Sequence, residues 1–306
     1  MRKQNSIFVG LIAIISWFPT NLARAADPDA RSGDHATGSI PTVPGDDIFG
    51  FTTPSDPGNP GDLQYFSEND GRAGKRDGAY GALNSKFALG YTFAPNWWIG
   101  AAFFTAYNSS ANVTGLPDLN HLRFDGASIE LLHRIIERSS SNPFGVTLSV
   151  EPRWSRNDGV TGLPSDAYQS TFKFFIDAPI IPDALYWGGN LQLTLQKAQD
   201  PMNTVNWLPS SQLLVSTALT YQTLPNLFVG AETRYLSLSD NYTLSHEIGR
   251  ALYVGPTLLW KPTEKIAFNV TFQPQVYGRS IANPSQPLDL DDFERAQFRV
   301  KLVVAF

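Results

Sequence analysis

The residues best placed to do chemistry are charged side chains at even spacings within largely apolar stretches. Glu130 and Arg134, Glu151 and Arg153, Glu232 and Arg234, and the set Arg295, Arg299 and Lys301 each keep this phase, while Lys86 and Lys173 stand singly. Side chains alternate along a strand with period two, so each set shares one face and its neighbours take the other. Charged groups turned into a narrow water-filled space steer or repel polar solutes, and arginine rings favour anions. With Arg138 added, the basic candidates are nine, against four acidic ones once Asp177 is included. Two readings follow. These groups line a solute path, or they pair across strands and fill an interior.

Catalysis finds less support. The four histidines are His35, His121, His133 and His246. By parity His133 shares the apolar face of Ile129, Leu131 and Ile135, which makes it a poor base. Ser245-His246-Glu247 places three suitable types side by side, but adjacent residues point apart and a triad needs convergence in space. There is no G-x-S-x-G, H-E-x-x-H or phosphate loop. The acidic knot Asp289, Asp291, Asp292 and Glu294 lacks the spacing and central glycine of a calcium loop, and reads as a solvated loop loosely attracting divalent cations. Without cysteine, disulfides and thiolate metal sites are impossible. No catalytic, cofactor-binding or metal-ligating residue is therefore expected, and no cofactor.

The elements that would position the charged faces are strands. In the closing stretch RAQFRVKLVVAF, Ala296, Phe298, Val300, Leu302, Val304 and Phe306 form one apolar face. The opposite face is largely polar and basic. From Gly61 onward twelve such stretches are expected: 62–73, 79–93, 97–109, 126–138, 144–156, 167–179, 184–197, 211–222, 227–239, 250–261, 265–277 and 295–306. Alternate connections are short and turn-like, whereas 110–125, 157–166, 198–210, 240–249 and 278–294 are longer and polar. Aromatics gather at the short-turn ends of the apolar faces (Tyr91, Phe93, Trp97, Trp187, Tyr221, Trp260, Phe306). A second group lies toward the long loops (Tyr107, Trp154, Tyr168, Tyr235). The pattern predicts an all-β transmembrane antiparallel up-and-down barrel of about twelve strands, with short periplasmic turns and longer extracellular loops.

The first residues agree on compartment. Arg2 and Lys3 precede an apolar core, Ile7–Phe18, and Ala23-Arg24-Ala25 offers small residues for cleavage. This reads as a signal peptide over residues 1–25, since such a core is too short to cross roughly 30 Å of hydrocarbon. Its removal leaves 20 basic against 28 acidic side chains, a formal charge of −8. That balance gives nucleic-acid binding no support. Residues 26–60, rich in proline and glycine, read as a periplasmic arm or a partial plug, and residues 61–306 as the barrel. Within the arm, Ile48, Phe49 and Phe51 are apolar groups in a turn-rich setting, so either a flexible leader or a segment narrowing the barrel mouth is expected.

Three stretches carry a family resemblance: DDIFGFTTPSDPGNPGD (46–62), GRAGKRDGAYGALNSKFALGYTFAPNW (71–97) and VKLVVAF (300–306). They resemble bacterial outer-membrane proteins named for the meta-pathway of phenol degradation and grouped as transporters. The resemblance implies a twelve-stranded barrel, a first hairpin turning at Lys75–Gly78, and passage of small organic solutes. It transfers no site residue. The combined expectation is an outer-membrane channel passing small polar, aromatic or anionic solutes. Its partners would be lipid, lipopolysaccharide and, through the last strand, the barrel-assembly machinery. The rival expectations are an outer-membrane enzyme acting on lipid or lipopolysaccharide, and a structural or adhesive barrel with a filled lumen.

Overall fold

The computed structural model describes residues 47–139 and 141–306. The expected signal peptide, and the arm before Asp47, lie outside the described residues. The chain forms twelve strands, β1 (Leu63–Ala73), β2 (Ala79–Ala94), β3 (Trp97–Ala111), β4 (Leu119–Ile136), β5 (Gly145–Asn157) and β6 (Pro164–Ile181), followed by β7 (Leu185–Asp200), β8 (Asn203–Leu224), β9 (Leu227–Ser239), β10 (Glu247–Thr263), β11 (Ile266–Ser280) and β12 (Ala296–Ala305). Each pairs antiparallel with its sequence neighbour, and β12 pairs with β1 to close a barrel. Closure leaves no open sheet edge, as hydrocarbon requires of a spanning sheet. No helix among the described residues is long and apolar enough to cross a membrane.

Alternation decides which way each strand faces. On β11, Phe268, Val270 and Phe272 point outward, whereas Ala267, Asn269, Thr271 and Gln273 are buried inside. The outward band includes Leu89, Ile99, Phe103, Ile129, Leu191 and Leu219, all exposed. Aromatic pairs flank it. Trp97 stacks on His133 and Trp260 on Phe268 toward the short turns, while Tyr168 stacks on Trp207 toward the other end. The last strand closes the ring with opposite charges directly across from each other. Glu68 faces Lys301 and Asp70 faces Arg299 in the β1–β12 register.

Two stretches expected as loops from polarity are mostly or partly ladder instead. The 198–210 stretch is mostly strand, with only Pro201 and Met202 between β7 and β8. Its residues from Asn203 to Asn206 are exposed on both faces, so no hydropathy contrast marks them as strand. Likewise β4 begins at Leu119, before a kink at Gly126. That glycine has φ +96°, and a Cβ there would meet the Trp154 carbonyl oxygen at 1.9 Å. Only glycine accommodates such a bulge without displacing β5.

Candidate functional site

The segment from Asp47 to Pro57 lies inside the barrel, on the side of the short turns. Ile48 and Phe49 are fully buried and pack on Tyr186, Phe228, Leu259 and Val303. Gly188 makes room for the Phe49 ring, which a Cβ would meet at 2.6 Å. Burying Ile48, Phe49 and Phe51 stabilises the docked segment by roughly 1.5–3 kcal/mol each. Polar groups fix its path. Glu232 accepts the backbone N–H of Phe51 (2.8 Å) and both the N–H and hydroxyl of Thr52. Asn269 donates to the carbonyls of Asp47 (3.1 Å) and Phe49 (2.6 Å). Asp177 accepts from the Ser55 N–H and hydroxyl and pairs with Arg138. Lys301 pairs with Asp47, and Arg134 with Asp56 at 3.2 Å. Most members of this network are satisfied, Asn269 Oδ1 and Arg138 Nε being the exceptions. The segment is a floor to the lumen, seated by apolar side chains and side-chain-to-backbone bonds. A flexible leader does not describe these residues.

Above this floor lies a cavity of about 330 Å³. One wall comes from β2, β4, β5 and β6, where parity brings four charges together. Lys86 lies 3.1 Å from Glu151 and 3.6 Å from Glu130, while Lys173 lies 2.8 Å from Glu130 and 2.5 Å from Glu151. Ser128 and Ser149 donate to the same two carboxylates. The other wall comes from β1, β9 and β12. Arg299 forks onto Asp70 at 2.6 and 2.8 Å, and Lys301 reaches Glu68 at 3.2 Å. Arg234 donates to Gln273 (2.7 Å) and Gln297 (2.6 Å), with its guanidinium 3.3 Å from the Phe51 ring centre.

Aromatic rings occupy the spaces between these pairs. Phe66 meets Trp98 edge to face at 6.2 Å, and Arg153 lies 3.8 Å over Phe104. Phe51 and Phe175 complete the apolar surface. The result is an amphipathic chamber with most of its charges already paired in place, Arg234 being held by neutral amides.

At the opposite end the β11–β12 loop, residues 281–295, folds inward. Phe293 is buried against Leu236, Ala251 and Tyr253. The Tyr253 hydroxyl donates to the Glu294 carbonyl at 2.7 Å, and Lys75 donates to the Phe293 carbonyl at 2.9 Å. Asp289 and Glu294 are buried, and Asp291 pairs with Arg76 at 2.9 Å. The solvated, loosely cation-attracting loop expected from composition is therefore corrected. Asp291 and Glu294 are held by bases and side-chain amides, while Asp289 is buried and Asp292 half-buried without a basic partner. Among the described residues no group of three or more metal-ligating side chains could hold an ion.

Of the eleven sequence candidates, Lys86, Glu130, Glu151, Arg153, Lys173, Arg234, Arg299 and Lys301 line the chamber. Three do not. Arg134 sits at the short-turn rim, bound to Asn96, Asp56 and Glu137. Glu232 is covered by the floor segment that it holds. Arg295 precedes β12 and is exposed, so its parity does not carry it inside.

The excess of positive charge is also corrected. Among the described residues the chamber takes six cations and six anions, because Asp47, Asp56, Glu68 and Asp70 join Glu130 and Glu151. Glu68 and Asp70 were readable from their shared parity with Gln64 and Phe66 on β1. The two arm carboxylates had no such signal. Ser245, His246 and Glu247 do not converge. Ser245 bonds Thr243, His246 faces Asp240, and Glu247 pairs with Arg250.

A closed twelve-stranded antiparallel barrel with an apolar girdled exterior, a floored lumen and a charge-paired chamber defines an outer-membrane-type β-barrel. Residues 41–306 match the profile of a family of unknown function (DUF6662), and the chain belongs to that family. No curated protein matches the sequence. Among solved structures, the COG4313 outer membrane channel from Pseudomonas putida F1 is similar, with a TM-score of 0.51 at 10% identity over 87% of this chain and 100% of that one. The beta domain of the Bordetella autotransporter Brka also has a TM-score of 0.51, at 9% identity over 81% and 100% of the two chains. At such identities the likeness is one of fold, that of bacterial outer-membrane barrels.

Proposed function

We propose that the barrel is an outer-membrane channel for passive passage of small organic solutes, with the chamber as its selecting site. The observation that carries this reading is the chamber itself. Its volume of about 330 Å³ falls at the small end of ligand-sized cavities. Its wall alternates aromatic faces with ion pairs, which suits a small solute bearing an aromatic body and a polar edge. The sequence resemblance to phenol-pathway outer-membrane proteins favours the same class, and the similar P. putida structure is itself described as a channel.

Charge balance argues against strong ion selection. An anion entering the chamber meets Lys86 and Lys173 already engaged by Glu130 and Glu151, so it finds no unpaired lysine there to hold it. Uncharged solutes need no such partner. The rival with a filled structural lumen draws on the same pairs and on the floor, and conduction separates the two.

Glu130→Gln with Glu151→Gln should free both lysines while keeping the shape of the wall. Reversal potentials under a salt gradient should then move from near zero in the parent toward anion preference in the double variant. The preference should weaken between 0.1 M and 1 M salt, as the Debye length falls from about 10 Å to about 3 Å. An anion-selective parent, or an unaltered double variant, would remove the chamber from the conduction path.

A further inference from the structure

Two carboxyl groups on the inward-folded loop have a geometry that ion pairing does not explain. Asp289 is fully buried, and its Oδ2 has no hydrogen-bond partner. The Asp292 N–H donates to Asp289 Oδ1 at 3.0 Å, which draws the two residues together. A Cβ built on Gly249 of β10 would meet Asp289 Oδ2 at 2.2 Å and Asp292 Oδ2 at 2.4 Å. Both carboxyls therefore converge on one bare Cα in the barrel wall. Two carboxylates turned toward each other, Asp289 buried and Asp292 half-buried, do not both ionise readily, and a shared proton supplies the orphaned oxygen with a donor.

We propose that Asp289 and Asp292 share a proton that latches the 281–295 loop over the outer mouth, and that losing this proton releases the loop. The surrounding charges are otherwise engaged. Lys75, from the β1–β2 turn, donates to the carbonyls of Phe293 and Asp291 and lies 3.7 Å from Glu294. Arg76 holds Asp291, and Arg72 of β1 holds Glu294 at 3.3 Å. On β10, Arg250 pairs with Glu247 at 2.8 Å, and Tyr253 bonds the Glu294 backbone.

Burial pushes Asp292 up to about 7, with Asp289 and Asp291 adding to the effect, and burial likewise raises Asp289. A carboxyl raised in the docked state holds more protons there than when released. Docking is thus favoured at acidic pH and weakens as pH rises through about 7. The latch rests on loop geometry, and only its consequence for passage rests on the channel reading.

The test uses the absence of cysteine from the chain. Ala251 is fully buried beneath Phe293, so Ala251→Cys reports uncovering of the mouth, and Ser285→Cys on the exposed part of the loop serves as the control. The folded full chain would be labelled with a neutral maleimide from pH 5.5 to 8. The Ala251→Cys rate relative to control should rise about tenfold, as the pair passes from largely protonated to largely ionised. In Asp292→Asn, and independently in Asp289→Asn, the relative rate should stay level. No rise in the parent, or an equal rise in both Asn variants, would overturn the latch. A latch that labels as expected on a barrel that never conducts would instead remove the channel reading alone.

Discussion

Deleting Asp47–Pro57 should raise the conductance of the barrel several-fold while leaving the barrel folded. The segment is the floor of the chamber, and its removal exposes the lumen to the short-turn side. The wall does not depend on it, because twelve strands close through their own backbone ladder. The apolar residues beneath it, Tyr186, Phe228 and Leu259, would become wet, so some loss of stability is expected. A gentler variant keeps the chain length. Ile48→Ser with Phe49→Ser should unseat the floor by removing roughly 3–6 kcal/mol of apolar burial from a segment otherwise held by Phe51 and polar bonds. Long, larger openings in either variant are the expected result in planar bilayers. Conductance equal to that of the parent in both would mean that the constriction lies elsewhere, the inward-folded 281–295 loop being the next obstacle.

The second large effect concerns depth and parity. Leu193→Arg should destabilise the barrel by about 2–4 kcal/mol, since Leu193 lies on the outward face of β7 where the apolar band meets lipid. Thr194→Arg, one residue on, should be far milder. Thr194 lines the chamber and bonds Thr171 at 3.0 Å, so an arginine there has polar surroundings and some space. It should instead reduce conductance by occupying that space. The same contrast does not hold on β11. Phe268→Arg faces lipid, but Asn269 is almost fully buried beneath the floor segment, so Asn269→Arg should be disruptive as well. Unfolding in lipid vesicles checks the pair, and equal losses at Leu193 and Thr194 would contradict the register.

The barrel was legible because its physics repeats. Period-two alternation from Leu83 to Val304 marks most of the strands and their outward faces. Short turns such as Pro95–Asn96 and Pro225–Asn226 mark one rim. The β7–β8 hairpin was not legible, because from Asn203 to Asn206 both faces meet water and nothing separates strand from loop by composition.

The chamber was legible only in half. Lys86, Glu130, Glu151, Lys173 and Arg299 follow from parity on their own strands, but which charges meet depends on the stagger between strands. Lys86 reaches Glu151 across two intervening strands, a relation no local pattern encodes. The floor was hardest. Ile48, Phe49 and Phe51 are visible as apolar residues out of place, yet only burial against Phe228 and Leu259 shows where they go. Its carboxylates Asp47 and Asp56 then cancel the positive excess that the strands alone suggest.

The most direct test of the proposed channel is planar-bilayer recording from the full chain under a salt gradient. Discrete, small openings with a reversal potential near zero are expected, because the chamber is narrow and its six cations face six anions. Addition of a small uncharged aromatic solute should transiently block these openings. A folded barrel that stays silent, or steps that ignore the solute and strongly select one sign of ion, would contradict passage through this chamber.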